Sequence, residues 1–248
     1  SEAEALASSH WMPVLPMGLG AVAVSARRAG HEVRMLDLLK AEDPGASVRE
    51  AVTEFEPQVI GVSVRNIDDQ CMENPRFLVD RVRVVISQCR EISEAPIVLG
   101  GAGYSIFPQS ALAYLKADLG IQGEGETAFP LLLSRLKKRS EPYGIPGLYS
   151  ARYGPVGARR LEKNLDSFSL PDPGFWPATA SMDAATWVPL QTRRGCPMDC
   201  TYCVLQSYVN VPAITVFVNV EDLLEELETR WAEHPDRVSP DRAAWIAH

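Results

Sequence analysis

Three of the five cysteines in this 248-residue chain fall within eight positions, as Cys196-x-x-x-Cys200-x-x-Cys203. Gly195 and Pro197 flank the first, and Tyr202 precedes the last. Spacings of four and three residues let one loop turn its thiolates toward a single inorganic centre, whereas thiols this close in sequence rarely reach disulfide geometry. The number of ligands then narrows the chemistry. A structural zinc site closes with four ligands, and an electron-transfer cubane takes four cysteines. Three cysteines either leave one iron of a [4Fe-4S] cluster open or need a distant fourth ligand on zinc, for which His234 and His248 are the candidates.

The rest of the composition is that of a globular protein, with 46% hydrophobic and 23% charged residues. A net charge of -8 disfavours a nucleic-acid backbone as partner, and the pairs Arg159-Arg160 and Arg193-Arg194 are too small to form a basic patch. No apolar run approaches the roughly 20 residues of a membrane span. The opening SEAEALASSHW lacks the basic and apolar regions of a signal peptide. The expectation is a cytoplasmic protein without membrane contact, in which clustered cysteines serve a metal.

Along the chain, Trp11 to Pro16 reads as an extended entry to a small-residue helix that stops at Gly30. His31 to Leu38 alternates like a strand. Ser47 and Glu50 form a capping box ahead of a stripe of Val48, Ala51, Val52 and Phe55, ended by Pro57. Val59 to Val64 is apolar throughout and reads as a central strand covered on both faces. Asn74-Pro75 opens a helix on which Leu78, Val82, Val85 and Cys89 recur, making Cys89 a core residue. Ile97 to Gly101 is the next strand. A short helix near Ser110 to Lys116, a last strand in DLGIQG and a helix from about Glu126 to Arg139 follow, with Lys137, Lys138 and Arg139 at its negative end.

Strands and helices alternating at this interval predict an α/β domain with a doubly wound parallel sheet, Rossmann- or flavodoxin-like. Ligands of such sheets bind beyond the carboxyl ends of the strands. Those ends are Ser63-Val64-Arg65-Asn66, Leu99-Gly100-Gly101-Ala102-Gly103-Tyr104 and Gly123-Glu124-Gly125-Glu126. Glycine permits both a close approach to ligand and a tight strand-to-helix turn, and the two readings stand side by side. Glu124 and Glu126 can likewise face a ligand or cap the last helix. The Gly-x-Gly-x-x-Gly fingerprint of nicotinamide binding is absent.

The phrases PMGLGAVAVSARRAGHEVRMLDL, VIGVSVRNIDD, IVLGGAGYSIFPQSAL and DLGIQGEGETAF resemble the cobalamin-binding domain of B12-dependent radical S-adenosylmethionine (radical SAM) enzymes. The cysteine triplet resembles that superfamily's cluster loop, and together these cover about residues 12 to 206. The resemblance implies that Cys196, Cys200 and Cys203 hold a [4Fe-4S] cluster whose open iron chelates S-adenosylmethionine, with Tyr202 near the adenine. It further implies a corrinoid lying over Ser63, Val64, Arg65, Asn66, Leu99, Gly100, Gly101, Gly103, Tyr104, Gly123, Glu124, Gly125 and Glu126. The implied activity is methyl transfer to an unactivated carbon or phosphorus of a small molecule. A reducing protein such as flavodoxin or ferredoxin is the implied partner. The Asp-x-His-x-x-Gly motif that gives cobalt an imidazole in other B12 proteins is missing, and His31 reads as structural.

This organisation divides the chain into residues 1–140, a proline-rich connector at 141–186 carrying at most a hairpin near Gly147 to Arg160, and the start of a radical SAM partial (β/α) barrel at 187–248. Trp187 to Thr192 reads as a strand, and Asn219 caps a helix with Val220, Leu223, Leu224, Leu227 and Trp231 on one face. The 45 residues after Cys203 are too few for the several βα units, each of about 30 residues, that a partial barrel needs. The expectation is therefore a chain that lacks most of the barrel. Its alternatives are a non-catalytic cobalamin-binding module, a B12-dependent radical cyclase or rearrangement enzyme, and a flavodoxin-like domain with another flat ligand.

Overall fold

The computed structural model describes residues 16–38, 41–68, 74, 76–160, 162, 164 and 168. The cysteine loop, Tyr202, the strand expected at 187–192, the helix after Asn219 and the entry before residue 16 lie outside the described residues.

Helix α1 is Met17–Arg28. It ends where expected, with Gly30 in the left-handed region at φ +87. Helix α2 is Pro44–Phe55, and here the expected capping box is corrected. Asp43 is the cap, its carboxylate accepting the Ala46 N–H at 3.0 Å, with Pro44 in the first turn. Ser47 and Glu50 lie inside the helix. Helix α3, Val79–Ile92, also starts later than Asn74-Pro75 suggested. The intervening chain is held instead by a bridge between Asp68 and Phe77 and by the Leu78 N–H on the Ile67 carbonyl at 2.8 Å.

Strands β1 (Ile60–Ser63), β2 (Ile97–Gly100) and β3 (Leu119–Ile121) run parallel in the order β1-β2-β3. Two short helices, α4 (Ala102–Ile106) and α5 (Pro108–Leu115), lie between β2 and β3, and α6 (Gly125–Lys137) follows β3. The hairpin expected in the connector forms as β4 (Leu148–Ser150) and β5 (Gly154–Pro155). It joins the sheet antiparallel to β3, so the sheet is mixed, with a parallel core of three strands.

Two expectations about this sheet are corrected. His31 to Leu38 alternates in exposure as a strand does, yet it joins no ladder among the described residues. Alternation specifies which side chains face inward, and pairing is a separate requirement. Because that neighbour is missing, β1 is the first strand in the order and its residues alternate between half-buried and exposed. Strand β2, by contrast, is covered on both faces. Ile97 and Leu99 pack with Val48, Ile86, Cys89, Leu112 and Leu115 from α2, α3 and α5, while Val98 joins Ala128 and Leu132 of α6 on the other side. Period two along one strand thus feeds two cores, giving a three-layer α/β/α sandwich. Cys89 is buried in the first core, as its helical spacing predicted, and burial pushes its thiol pKa up.

Candidate functional site

The carboxyl ends of β1, β2 and β3 open on one edge of the sheet, because parallel strands share a direction. The structure sorts the thirteen residues expected there. Ser63, Arg65 and Asn66 are exposed at the end of β1. Gly100 and Gly101 are half-buried at the end of β2, as are Gly123, Glu124 and Gly125 after β3. Val64, Leu99 and Tyr104 have their side chains in the first core, so only their main chain is left to meet a ligand. Glu126 is buried in the first turn of α6, close to the positive end of the helix.

The glycines separate by what a side chain would strike. At Gly101, φ is +97, and a Cβ would lie 2.6 Å from the Val64 carbonyl oxygen. At Gly103 it would lie 2.9 Å from the Arg65 carbonyl oxygen. These two residues let the loop after β2 close on the end of β1, where Gly103 N–H donates to Val64 O at 3.0 Å. A Cβ on Gly100 meets nothing within 4 Å among the described residues. Gly125 lets α6 approach α1, since a Cβ there would lie 2.8 Å from Val22. Its requirement is therefore packing.

Arg65 carries no ion pair among the described residues. Partial burial holds its guanidinium below its usual pKa, although much of its surface is exposed. The exposure decides its state, and it is a cation. Glu124 sits at the amino end of α6 without capping it through its side chain. Its carboxylate accepts the Glu162 N–H at 2.6 Å instead, tying the connector to the strand mouth. Tyr104 is wholly buried and its hydroxyl has no partner among the described residues. Burial first, and then Tyr149, push the phenol far above its ordinary pKa, so it stays neutral.

Sequence reasoning missed Ser105 and Gln122. The Gly123 N–H donates to Ser105 Oγ at 2.9 Å, and that hydroxyl donates to the Gly101 carbonyl at 2.8 Å. Gln122 Nε2 donates to the Ser105 carbonyl at 3.0 Å. No periodicity pairs Ser105 with Gly123 across 18 residues; the signal available was only a small polar residue in a glycine-rich turn.

The glycine-lined strand mouth carries a polar rim, where Ser63, Arg65 and Asn66 offer exposed donors to a ligand rich in hydrogen-bonding groups, while the connector lies over the end of β3 with Arg159 against Gly123. Residues 12–133 match the B12 binding domain family. The chain contains a B12 binding domain. Hopanoid C-3 methylase of Methylococcus capsulatus is 30% identical over 193 residues, covering 76% of this chain and 35% of that protein. Tryptophan 2-C-methyltransferase of Streptomyces laurentii is 30% identical over 152 residues, covering 60% of this chain and 25% of that protein. The chain thus spans about a quarter to a third of the length of these relatives.

Among solved structures, the radical S-adenosylmethionine methyltransferase TsrM from Kitasatospora setae, with cobalamin and a [4Fe-4S] cluster bound, superposes at a TM-score of 0.54. That match has 28% identity and covers 66% of this chain and 30% of TsrM. The B12 binding domain therefore has the same layered architecture that the strand pattern predicted, with the mixed sheet as its variation. Among the described residues, no helix is long and apolar enough to cross a membrane.

Proposed function

We propose that this chain binds cobalamin at the mouth formed by β1, β2 and β3, as part of a cobalamin- and [4Fe-4S]-dependent radical SAM methyltransferase. The observation that carries the reading is the conjunction, in one chain, of a B12 binding domain with a glycine-lined, polar-rimmed strand mouth and the triplet Cys196, Cys200 and Cys203. Similarity to enzymes named as methyltransferases supports the reaction class.

In this reading Ser63, Arg65 and Asn66 would hold the corrinoid through their side chains, and Gly100 and Gly101 through their main chain. When bound, cobalamin supplies a transferable methyl group and the cluster supplies the electron that cleaves S-adenosylmethionine. The three cysteines would hold the cluster, and Tyr202 would lie beside the adenine. His31 is read as structural, and its main-chain N–H closes the end of α1 on the Ala26 carbonyl at 3.2 Å. The methyl acceptor is an unactivated carbon or phosphorus of a small molecule, and the electron comes from a flavodoxin- or ferredoxin-like protein.

Anaerobic reconstitution of the full chain with iron and sulfide, in the presence of hydroxocobalamin, tests the assignment. About four irons per chain are expected, falling to background in a variant with all three cysteines replaced by alanine. With a reductant and S-adenosylmethionine labelled in its methyl group, label should appear on the corrinoid. Unchanged iron content in the triple variant, or label that never leaves S-adenosylmethionine, would contradict the reading.

A further inference from the structure

We propose that Ser105 is a positioning residue that sets the gap between the two glycine loops of the mouth, and so the affinity for the corrinoid. This rests on the reading that the mouth binds cobalamin. The paired ladder between β2 and β3 has its last partners at Leu99 and Gly120, and beyond them the two loops share no strand pairing. The Ser105 side chain takes over at that point. Its hydroxyl donates to Gly101 at 2.8 Å and accepts from Gly123 at 2.9 Å, joining one glycine of each loop through a single atom. Both glycines have positive φ, +97 and +90, so both loops turn where this atom ties them.

A hydroxyl can donate and accept at once, which alanine cannot do. The Ser105 carbonyl adds a second tie by accepting from Gln122, whose Oε1 accepts in turn from Tyr149 at 3.4 Å. The loops are thereby referred to β4 as well as to each other. Removing the hydroxyl leaves Gly123 N–H without its acceptor and lets the loops separate, while the strands beneath keep their pairing.

The test is titration of hydroxocobalamin into the full chain, read by absorption, with thermal midpoints measured in parallel. Ser105→Ala is expected to weaken binding about tenfold. Ser105→Thr keeps the hydroxyl and should bind within about threefold of the parent. Ser150→Ala is the control for stability alone, since Ser150 is also shielded but among the described residues its hydroxyl accepts only from the Arg152 N–H in the hairpin turn, at 3.2 Å. Its affinity should not change. Parental affinity in Ser105→Ala, loss in Ser105→Thr equal to that in alanine, or equal loss in Ser150→Ala would overturn the proposal. A parent chain that binds no hydroxocobalamin would instead overturn the cobalamin reading itself, and the positioning role with it.

Discussion

Gly101→Ala should lower stability by about 3 kcal/mol, the sum of a disfavoured backbone region and a collision that the loop cannot avoid. At φ +97 and ψ 170 the residue occupies a region nearly restricted to glycine. The added methyl would lie 2.6 Å from the Val64 carbonyl oxygen and 3.0 Å from Ser63 Oγ. That carbonyl already accepts the Gly103 and Tyr104 N–H groups at 3.0 and 3.3 Å, so displacing it undoes the join between the ends of β1 and β2. Urea denaturation should show a lower midpoint at unchanged slope. Gly100→Ala is the comparison: its methyl meets open space, and the expected change is within about 0.5 kcal/mol. Similar losses at both positions would show that the loop is not built around Gly101.

The second large effect lies at Gly120, directly under the Tyr104 ring. A Cβ there would fall 2.2 Å from the Tyr104 hydroxyl oxygen and 2.3 Å from Cζ, among atoms that are wholly buried. The ring has nowhere to yield, so Gly120→Ala should cost about 3 kcal/mol and lower the melting temperature accordingly. Tyr104→Phe should go the other way. Its hydroxyl is buried without a partner among the described residues, and removing it relieves a desolvation cost, for a gain of about 1 kcal/mol. Loss of stability in Tyr104→Phe would show that the hydroxyl is satisfied in the folded protein.

The parts of this fold legible in the sequence are those fixed by local chemistry. Gly30 ends α1, β2 is an apolar run, Cys89 recurs at core spacing, and the hairpin near Gly147 follows a dense set of turn residues. Asp43-Pro44 also carried a local signal, an acidic cap before proline, and the competing Ser47 and Glu50 pattern obscured it. What was not legible depends on partners distant in sequence. Whether His31 to Leu38 pairs, and hence whether β1 is flanked, is decided by a neighbouring strand rather than by alternation. The site divides the same way. Its three loops could be located from strand ends, but the inward turn of Tyr104, the use of Glu124 by the connector and the Ser105 tie are all tertiary contacts.

The most direct test of the account is cobalt retention. The full chain is incubated with excess hydroxocobalamin, desalted, and analysed for cobalt, alongside the Gly101→Ala variant. About one cobalt per parent chain is expected, as for one corrinoid site at the strand mouth, with a clear deficit in the variant. No retained cobalt in the folded parent chain would contradict it.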